Sequence, residues 1–299
     1  MTDNNEQPPR RSNPGPDFFD GDPDWTELRD ETLERVLSHI GFSSRPEPTI
    51  ATLNEIAKQW SRHFGYDNIA KRIYLEEKQT GAFPLMDPND YFEFALAHGT
   101  GGGCWPSGEA AFGLLRRLGF DVERIAGTML AVGDILFPAH GALNVYFGDR
   151  VFRMEPSLGA DAALELIDGT ATRHDTKAYG LWQNGDRQVW WQPGHTLNPV
   201  ETTMTLSKLS SAFFYYRNEA TKQFSIFNAS AYIRRTRNDG SLTYAQGKLI
   251  EIDKYGEMTA APVDPASLKS VLVEQFGLSE EIVDRLPVDR DGVAFADHQ

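Results

Sequence analysis

The sequence predicts an α+β fold, with helices in the first part of the chain and strands in the part that follows. Up to Gly119, apolar residues recur at the spacing of one helix face. Beyond Gly119, short β-type runs are separated by turn signals. Because strands and helices do not alternate, the order argues against the βαβ units of nucleotide-binding folds.

Four helices are predicted before the change of pattern. They cover residues 25–42, 50–64, 87–99 and 104–118. Thr49 is the expected N-cap of the second helix, since its hydroxyl can accept from a free backbone N–H of the first turn. Gly41, Gly99 and Gly119 are expected to stop three of the helices, because glycine tolerates the left-handed backbone that often ends a helix.

The later part of the chain contains four β-type segments. They are residues 123–132, 141–155, 187–193 and 224–263. The sequences FGDR, NDG and YGE within them are typical of hairpin turns. The apolar spacing of residues 265–286 then predicts a helix near the C-terminus.

Length and composition suggest three structured parts behind an N-terminal tail. Residues 1–24 are rich in Pro, Asn, Asp and Gly, have no apolar core and are expected to be disordered. We assign residues 25–119 to a helical domain, 120–212 to a β domain and 213–299 to a C-terminal α/β part. The chain has 299 residues, of which 40% are hydrophobic, enough for a well-buried core.

Charge and cysteine content limit the partners and the compartment. The net charge of −14 argues against binding to nucleic acids or to anionic membranes. No apolar stretch is long enough to span a membrane. A single cysteine cannot form an internal disulfide, which favours a cytoplasmic location.

That cysteine, Cys104, follows the glycine-rich run GTGGG and begins a predicted helix. Free N–H groups and the helix dipole would stabilise a thiolate there and could bind an oxyanion. Gly102 and Gly103 would let a substrate approach the backbone closely. The alternative is an ordinary buried cysteine with no chemical role.

A nucleophilic cysteine needs a base, and the base needs an acceptor that orients it. His140 opens a predicted hairpin of two strands that turns at Gly148 and Asp149, and Glu155 ends the second strand. The two side chains are therefore expected at the same end of the hairpin. A purely structural His–Glu pair is the alternative.

Cys104, His140 and Glu155, in this order and spacing, resemble the triad of the arylamine N-acetyltransferase family. The segment GGGCWPSGEAAFGLLRRLGFDV is similar to the cysteine motif and its helix, and HGALNVYFGDRVFRMEPSLG to the strands that carry the histidine and the acid. Weaker collinear similarities extend the resemblance over roughly residues 30 to 285, among them PTIATLNEIAKQWSRHFGYDNI and SLKSVLVEQFGLS.

The resemblance implies a fold and an activity. The fold would comprise an N-terminal helical bundle, a central β-barrel and a C-terminal α/β lid, around a core like that of cysteine proteases and transglutaminases. The activity would be ping-pong acyl transfer from acetyl-CoA or another acyl thioester to a small-molecule amine, with Cys104 as nucleophile, His140 as base and Glu155 as orienting acceptor. No metal is implied, and an acyl carrier protein is the alternative source of the acyl group.

The sequence also departs from the family pattern. The arginine of the family's cysteine motif falls at Thr100, so its ion pair with the acid at Asp67 is not expected. Polar residues that usually follow the cysteine are replaced by Pro106 and Gly108. The acid of the triad is Glu155 in place of aspartate.

The candidate substrate contacts are Gly102, Gly103, Trp105, Phe214 and Arg235. Phe214 belongs to the aromatic run 213–216, which could line an acceptor pocket or simply lie in the core. Arg235 belongs to the segment YIRRTR, in which strand alternation puts Arg234 on the opposite face from Arg235 and Arg237. That segment could bind the phosphates of a donor or form a solvated strand edge.

Three other functions remain open at this stage. An amide synthase on the same scaffold would take a bulky acyl chain from a carrier protein or close a macrolactam. A hydrolase or transglutaminase-like enzyme would use the same triad with water or a protein amine as acceptor. A binding protein would keep the triad without using it.

Overall fold

The computed structural model of the chain describes residues 26–78, 84–129, 138–167, 171–174, 177–184, 186–191 and 200–289. The predicted N-terminal tail, residues 1–24, lies outside these ranges. Within them, no helix is long and apolar enough to cross a membrane.

Five helices precede the first strand in the described residues. They are α1 (Asp30–His39), α2 (Ile50–His63), α3 (Ile69–Glu76), α4 (Pro88–His98) and α5 (Cys104–Arg117). All four predicted helices are confirmed, as α1, α2, α4 and α5. Thr49 caps α2 by accepting from the Thr52 N–H at 3.1 Å, and Gly99 ends α4 in the left-handed conformation. The helix α3, which has only eight residues, was not predicted.

Eight strands form the larger, antiparallel sheet. They are β1 (Asp121–Met129), β2 (His140–Phe147), β3 (Arg150–Met154), β4 (Leu164–Glu165), β5 (Ala171–His174), β6 (Lys177–Asn184), β7 (Asp186–Trp191) and β8 (Val200–Leu209). Their order is β4-β3-β2-β1-β8-β7-β6-β5. The hairpin predicted around Gly148 and Asp149 is confirmed as β2 and β3, with Phe147 opposite Arg150.

The predicted central β-barrel is wrong. A barrel closes only when its two edge strands pair with each other. Here β4 and β5 are the two edges of the sheet, and β4 has only two residues with which to pair. The eight described strands therefore form an open sheet.

The last third of the described chain contains a helix, a second sheet and two further helices. These are α6 (Ser211–Phe224), β9 (Tyr232–Arg237), β10 (Gly240–Ala245), β11 (Lys248–Asp253), β12 (Met258–Pro262), α7 (Leu268–Phe276) and α8 (Glu280–Asp284). The four strands pair antiparallel in sequence order. The helix α6, which spans the aromatic run 213–216, was not predicted. The division into domains and the role of the last part as a lid stay predictions.

The two largest apolar cores among the described residues hold most of these elements together. The larger core joins α1, α2, α4 and α5 to one face of β1–β3, and its most deeply buried aromatic residues include Trp60, Tyr91 and Phe92. The second core joins β9 and β10 to α3, α7 and α8. A buried ion pair also links α5 to β1, with Arg124 contacting both carboxylate oxygens of Glu109 at 2.6 and 2.7 Å.

A short extended segment joins the two cores beside the start of α5. Tyr66 forms a parallel bridge with Gly102, and Asp67 forms an antiparallel bridge with Ile233 on β9. The glycine loop before α5 is therefore connected laterally to the second sheet through residues 66 and 67. This connection brings residues of the C-terminal part next to the predicted nucleophile.

Candidate active site

Cys104 is the first residue of α5, as the sequence predicted. Gly103 precedes it in extended conformation and acts as the N-cap without a side chain. The first backbone N–H groups of a helix have no partner within the helix, and Pro106 has no N–H to satisfy. The Cys104 Sγ lies 3.9 Å from the carbonyl oxygen of Ala139, immediately before His140. The partly buried thiol thus sits between the start of α5 and the start of β2.

The hairpin brings His140 and Glu155 together. His140 is the first residue of β2, and Glu155 directly follows β3. The His140 Nε2 lies 2.7 Å from Glu155 Oε2, and both side chains are buried, at 1% and 6% exposed. Since Glu155 occupies Nε2, the other ring nitrogen of His140 is left for Cys104, whose Sγ lies beside the carbonyl of the preceding residue, Ala139.

The neighbours of His140 favour its charged form. Burial alone would lower the pKa of the imidazole, because it removes water from the cation. The charge of Glu155 and the hydrogen bonds to Cys104 and Glu155 outweigh burial and raise the pKa of His140 to about 10. An imidazolium between a carboxylate and a sulfur is the arrangement that stabilises a thiolate.

A chain of polar residues supports Glu155 from behind. The Arg153 Nη1 lies 3.7 Å from Glu155 Oε1. Arg153 Nε donates to Asn144 Oδ1 at 3.0 Å, and Asn144 Nδ2 donates to Glu123 Oε1 at 3.0 Å. Glu155 therefore has a cation on the side away from His140, which fixes the carboxylate in a buried position.

The glycine loop is held by Asp67, and an arginine compensates its charge. Asp67 Oδ2 accepts from the Gly101 N–H at 2.5 Å, and its Oδ1 accepts from the Ile69 N–H at 3.2 Å. The Arg235 Nη2 lies 3.6 Å from Asp67 Oδ2 and donates to the Gly99 carbonyl. Burial raises the pKa of Asp67, whereas Arg235 and the two N–H groups lower it.

The ion pair between Asp67 and Arg235 takes the place of the family's pair between this acid and the arginine of the cysteine motif. With Thr100 in place of the family's arginine, the usual ion pair of that arginine with Asp67 was not expected. The structure provides Arg235, from a strand more than a hundred residues later in the chain. Gly101 is required here for packing, since a Cβ would lie 1.6 Å from the Gly65 carbonyl oxygen.

Trp105 and Phe214, two of the predicted substrate contacts, lie in the core beside the triad. Trp105 is 2% exposed, Phe214 is fully buried, and their rings pack edge to face at 5.1 Å. A Cβ at Gly141 would lie 2.7 Å from the Trp105 ring, so the strand that begins with His140 approaches α5 closely. The two rings therefore help to set the distance between Cys104 and His140.

The other predicted contacts lie around the loop. Gly102 bridges to Tyr66, and a Cβ at Gly103 would meet nothing within 4 Å, so the space above Gly103 is open. Arg235 is 7% exposed and engaged with Asp67 and Gly99. Direct contact of any of the five residues with a substrate stays a prediction.

Two polar residues whose electrostatics couple to the thiol were not predicted from the sequence. Lys71 on α3 is partly buried, and burial lowers its pKa to about 7 although the charge of Cys104 raises it. Burial likewise raises the pKa of Tyr66, with a contribution from Cys104. Neither residue belongs to a motif, because α3 and the bridge at Tyr66 bring them to the site only in three dimensions.

No cluster of three or more His, Cys, Asp or Glu residues suited to a metal ion occurs in the described ranges. The site chemistry that these residues offer is that of a thiol, an imidazole and a carboxylate. A reaction without a metal stays a prediction of the resemblance.

The profile of the N-acetyltransferase family matches residues 49–284 of this chain. An arylamine N-acetyltransferase from Mycolicibacterium smegmatis is 27% identical over 183 residues, which cover 55% of this chain and 63% of that protein. The chain thus matches somewhat less than two thirds of the length of this relative.

Solved structures of arylamine N-acetyltransferases share the fold. The enzyme from Mycobacterium abscessus superposes with a TM-score of 0.70 at 19% identity, covering 86% of this chain and 94% of that one. The Nocardia farcinica enzyme gives 0.70 at 20%, covering 84% and 92%. The Salmonella typhimurium enzyme gives 0.70 at 19%, covering 86% and 98%. These likenesses confirm the mixed α/β fold.

Proposed function

The chain belongs to the N-acetyltransferase family, and we propose that it transfers an acyl group from a thioester to an amine through Cys104. The observation that carries the proposal is the buried hydrogen bond between His140 and Glu155, formed next to Cys104 at the start of α5. Family membership supports acyl transfer to amines in general. The donor is acetyl-CoA or another acyl thioester, and the acceptor is a small-molecule amine.

In the first half-reaction the Cys104 thiolate attacks the carbonyl carbon of the thioester. The carbonyl π electrons move to oxygen, and the N–H groups of Cys104 and Trp105 at the start of α5 donate to the resulting oxyanion. When the tetrahedral intermediate collapses, the bond to the donor sulfur breaks, and His140 gives its proton to the leaving thiolate. The products are a free thiol and an acyl group on Cys104.

In the second half-reaction an amine attacks the acyl-enzyme. Neutral His140 takes the proton that the amine loses, the bond between carbonyl carbon and Cys104 Sγ breaks, and the thiolate re-forms beside the imidazolium. Glu155 keeps the Nε2–H in place through both steps, so the nitrogen facing Cys104 alternates between donor and acceptor. Because exchange between thioesters is nearly isoenergetic, positioning is the main requirement of the first step.

The proposal includes a compartment. We place the reaction in the cytoplasm, since a lone thiol that must stay reduced suits a reducing compartment. Delivery of the acyl group by a carrier protein, as in an amide synthase, is an outcome that the following experiment detects.

The acyl-enzyme is tested by intact-protein mass spectrometry. The protein is mixed with acetyl-CoA or longer acyl-CoAs without acceptor, beside Cys104→Ala and the matched control Ser107→Ala. We expect the mass of one acyl group on the wild type and on Ser107→Ala, and no gain on Cys104→Ala. Addition of an arylamine should remove the acyl group and release the amide.

Two results would contradict the proposal as stated. An adduct that persists in Cys104→Ala would place the acyl group on another residue. No adduct from any acyl-CoA, with a Cys104 that still reacts with iodoacetamide, would exclude CoA thioesters, and the same assay with acyl-pantetheine carrier proteins would then test the amide synthase alternative.

A further inference from the structure

Arg234 on β9 is a buried cation, and two of its three guanidinium nitrogens lack a hydrogen-bond partner among the described residues. The residue is 3% exposed, and its Nε and Nη2 have no partner among the described residues. Burial lowers the pKa of Arg234 to about 10, and the charge of Asp161 only partly offsets this. Buried guanidinium groups are normally hydrogen-bonded, so the Nε and Nη2 of Arg234 lack the acceptor that its planar donor fork suits.

Strand alternation puts Arg234 on the face of β9 that also carries Tyr232 and Thr236. Tyr232 lies on the same face, and its ring packs 5.5 Å from the ring of Tyr66, whose phenol interacts electrostatically with Cys104. Thr236, also on this face, donates to the carbonyl of Gly159 in the turn after Glu155. Arg235 lies on the opposite face with Asp67.

The separation from the nucleophile follows from the backbone pairing. The Arg234 N–H donates to the Tyr66 carbonyl at 2.8 Å, and Tyr66 is bridged on its other side to Gly102. Two strand spacings of about 4.8 Å thus place the Arg234 backbone roughly 10 Å from the loop before Cys104. This distance suits a substrate that reacts at Cys104 and carries an anionic group at its other end.

A second unpaired polar group lies beside Arg234. Thr243 on β10 is directly opposite Arg234 in the register, so the two side chains are neighbours on one face of the sheet. Thr243 is fully buried, and its Oγ1 has no partner in the described part of the chain. A hydroxyl and a guanidinium, both buried and both lacking an acceptor, form a set of donors for one oxyanion.

We propose that Arg234 and Thr243 form a subsite for an oxyanion of the substrate, and that its occupant is the carboxylate of the acceptor amine. The inference rests on the proposed acyl transfer. A carboxylate that lies across an aromatic ring from the amine suits the two strand spacings between the Arg234 backbone and the loop before Cys104. In coenzyme A, the long pantetheine arm puts the phosphates farther from the reacting carbonyl. A donor phosphate is the other source of the same chemistry, and the experiment separates the two.

The test compares an acceptor amine that carries a carboxylate with one that does not. Rates with 4-aminobenzoate and 4-methylaniline are measured for the wild type, Arg234→Met, Thr243→Val and the control Arg237→Met, which lies on the same strand but the other face. We expect Arg234→Met to lose about ten- to a hundredfold in kcat/KM for 4-aminobenzoate only. Thr243→Val should lose less, and Arg237→Met should match the wild type.

The donor arm uses acetyl-CoA and S-acetyl-N-acetylcysteamine, which has no phosphate. If Arg234→Met slows acylation by acetyl-CoA alone, the subsite holds a donor phosphate, which supports the oxyanion site and overturns the carboxylate as its occupant. If Arg234→Met and Thr243→Val keep the wild-type preference between the two acceptors and between the two donors, the subsite is overturned. Thr243→Val replaces an unpaired hydroxyl with a methyl group, so it should fold even if Arg234→Met does not.

A binding measurement separates this proposal from the proposed function. The unreactive 4-methylbenzoate should raise the melting temperature of the wild type and of Arg237→Met but not of Arg234→Met. That shift needs no acyl transfer, so it would support the subsite even if no acyl-enzyme formed. An equal shift in Arg234→Met would overturn the subsite while leaving the acyl-enzyme unaffected.

Discussion

The protonated state of His140 makes a contribution to stability that depends on pH. Its pKa is raised from 6.5 to about 10 in the folded protein. A raised pKa stabilises the fold fully below the unfolded pKa, and this stabilisation disappears as the pH rises through the folded pKa. We therefore expect the difference in unfolding free energy between the wild type and His140→Asn to shrink between pH 6.5 and pH 10, as measured by urea denaturation.

His39 offers the matched control for this measurement. Burial lowers its pKa, so His39 is mostly neutral in the folded protein over this window and loses its remaining charge in the unfolded protein within about one pH unit above 6.5. The same difference measured for His39→Asn should stay flat over that window. A flat curve for His140→Asn as well would mean that Glu155 and Cys104 do not hold the imidazole in its charged form.

Glu155 is predicted to act through the imidazole. Glu155→Gln keeps the length of the side chain and removes its charge. Glu155→Asp keeps the charge but moves the carboxylate away from the His140 Nε2, which lies 2.7 Å from Glu155 Oε2 in the wild type. We expect Glu155→Gln to slow acylation of Cys104 on the order of a hundredfold. The loss in Glu155→Asp should be smaller, because the carboxylate still favours the imidazolium.

The measurement is the single-turnover rate of acylation, followed by quenching and intact mass. Glu165→Gln is the control, since Glu165 pairs with Arg150 at the surface side of the sheet. If Glu155→Gln acylates at the rate of Glu165→Gln, the carboxylate is structural, and the triad reduces to Cys104 and His140.

At the scale of elements, the loop 99–103 depends on a carboxylate that comes from outside it. Asp67→Asn would keep one acceptor for the Gly101 N–H but would leave Arg235 buried beside a neutral group. Breaking a buried ion pair by removing one partner costs about 3–5 kcal/mol. We expect Asp67→Asn to lower the unfolding free energy by this order and to slow acylation of Cys104.

The double variant Asp67→Asn with Arg235→Gln distinguishes charge from geometry. Removing both charges should restore part of the stability, because no unpaired ion then remains in the interior. Acylation should stay slow if the loop needs the ion pair to hold its position. Full recovery of acylation in the double variant would show that only the unpaired charge was harmful.

The elements also show where sequence patterns are sufficient. The hairpin of β2 and β3 was predicted because its turn is local and its strands are adjacent, and this placed His140 beside Glu155. The helices α3 and α6 were missed, because α3 is short and the aromatic residues of α6 also suit strands. The partner of Asp67 could not be predicted, since Arg235 meets it only after β9 docks against residues 66 and 67.

At the scale of the whole molecule, the site is assembled from three distant parts of the chain. α5 supplies Cys104, the hairpin supplies His140 and Glu155, and the second sheet supplies Arg235 beside the glycine loop. Side chains between these parts, such as Trp105 against Gly141, fix their distances. A barrel was predicted around the same residues, and its absence leaves these contacts intact because they lie on β2 and β3 rather than at the sheet edges.

The charge of the whole chain predicts how the rate depends on salt. The net charge of −14 repels a donor that carries several phosphate charges, and this repulsion acts over about 30 Å at 0.01 M salt but about 8 Å at 0.15 M. We expect kcat/KM for acylation by acetyl-CoA to rise as salt increases over this range. Acylation by the uncharged S-acetyl-N-acetylcysteamine should not change, so the pair of donors separates long-range repulsion from any effect of salt on Cys104. A rate with acetyl-CoA that falls with salt would instead show that cations close to the bound donor dominate the electrostatic field there.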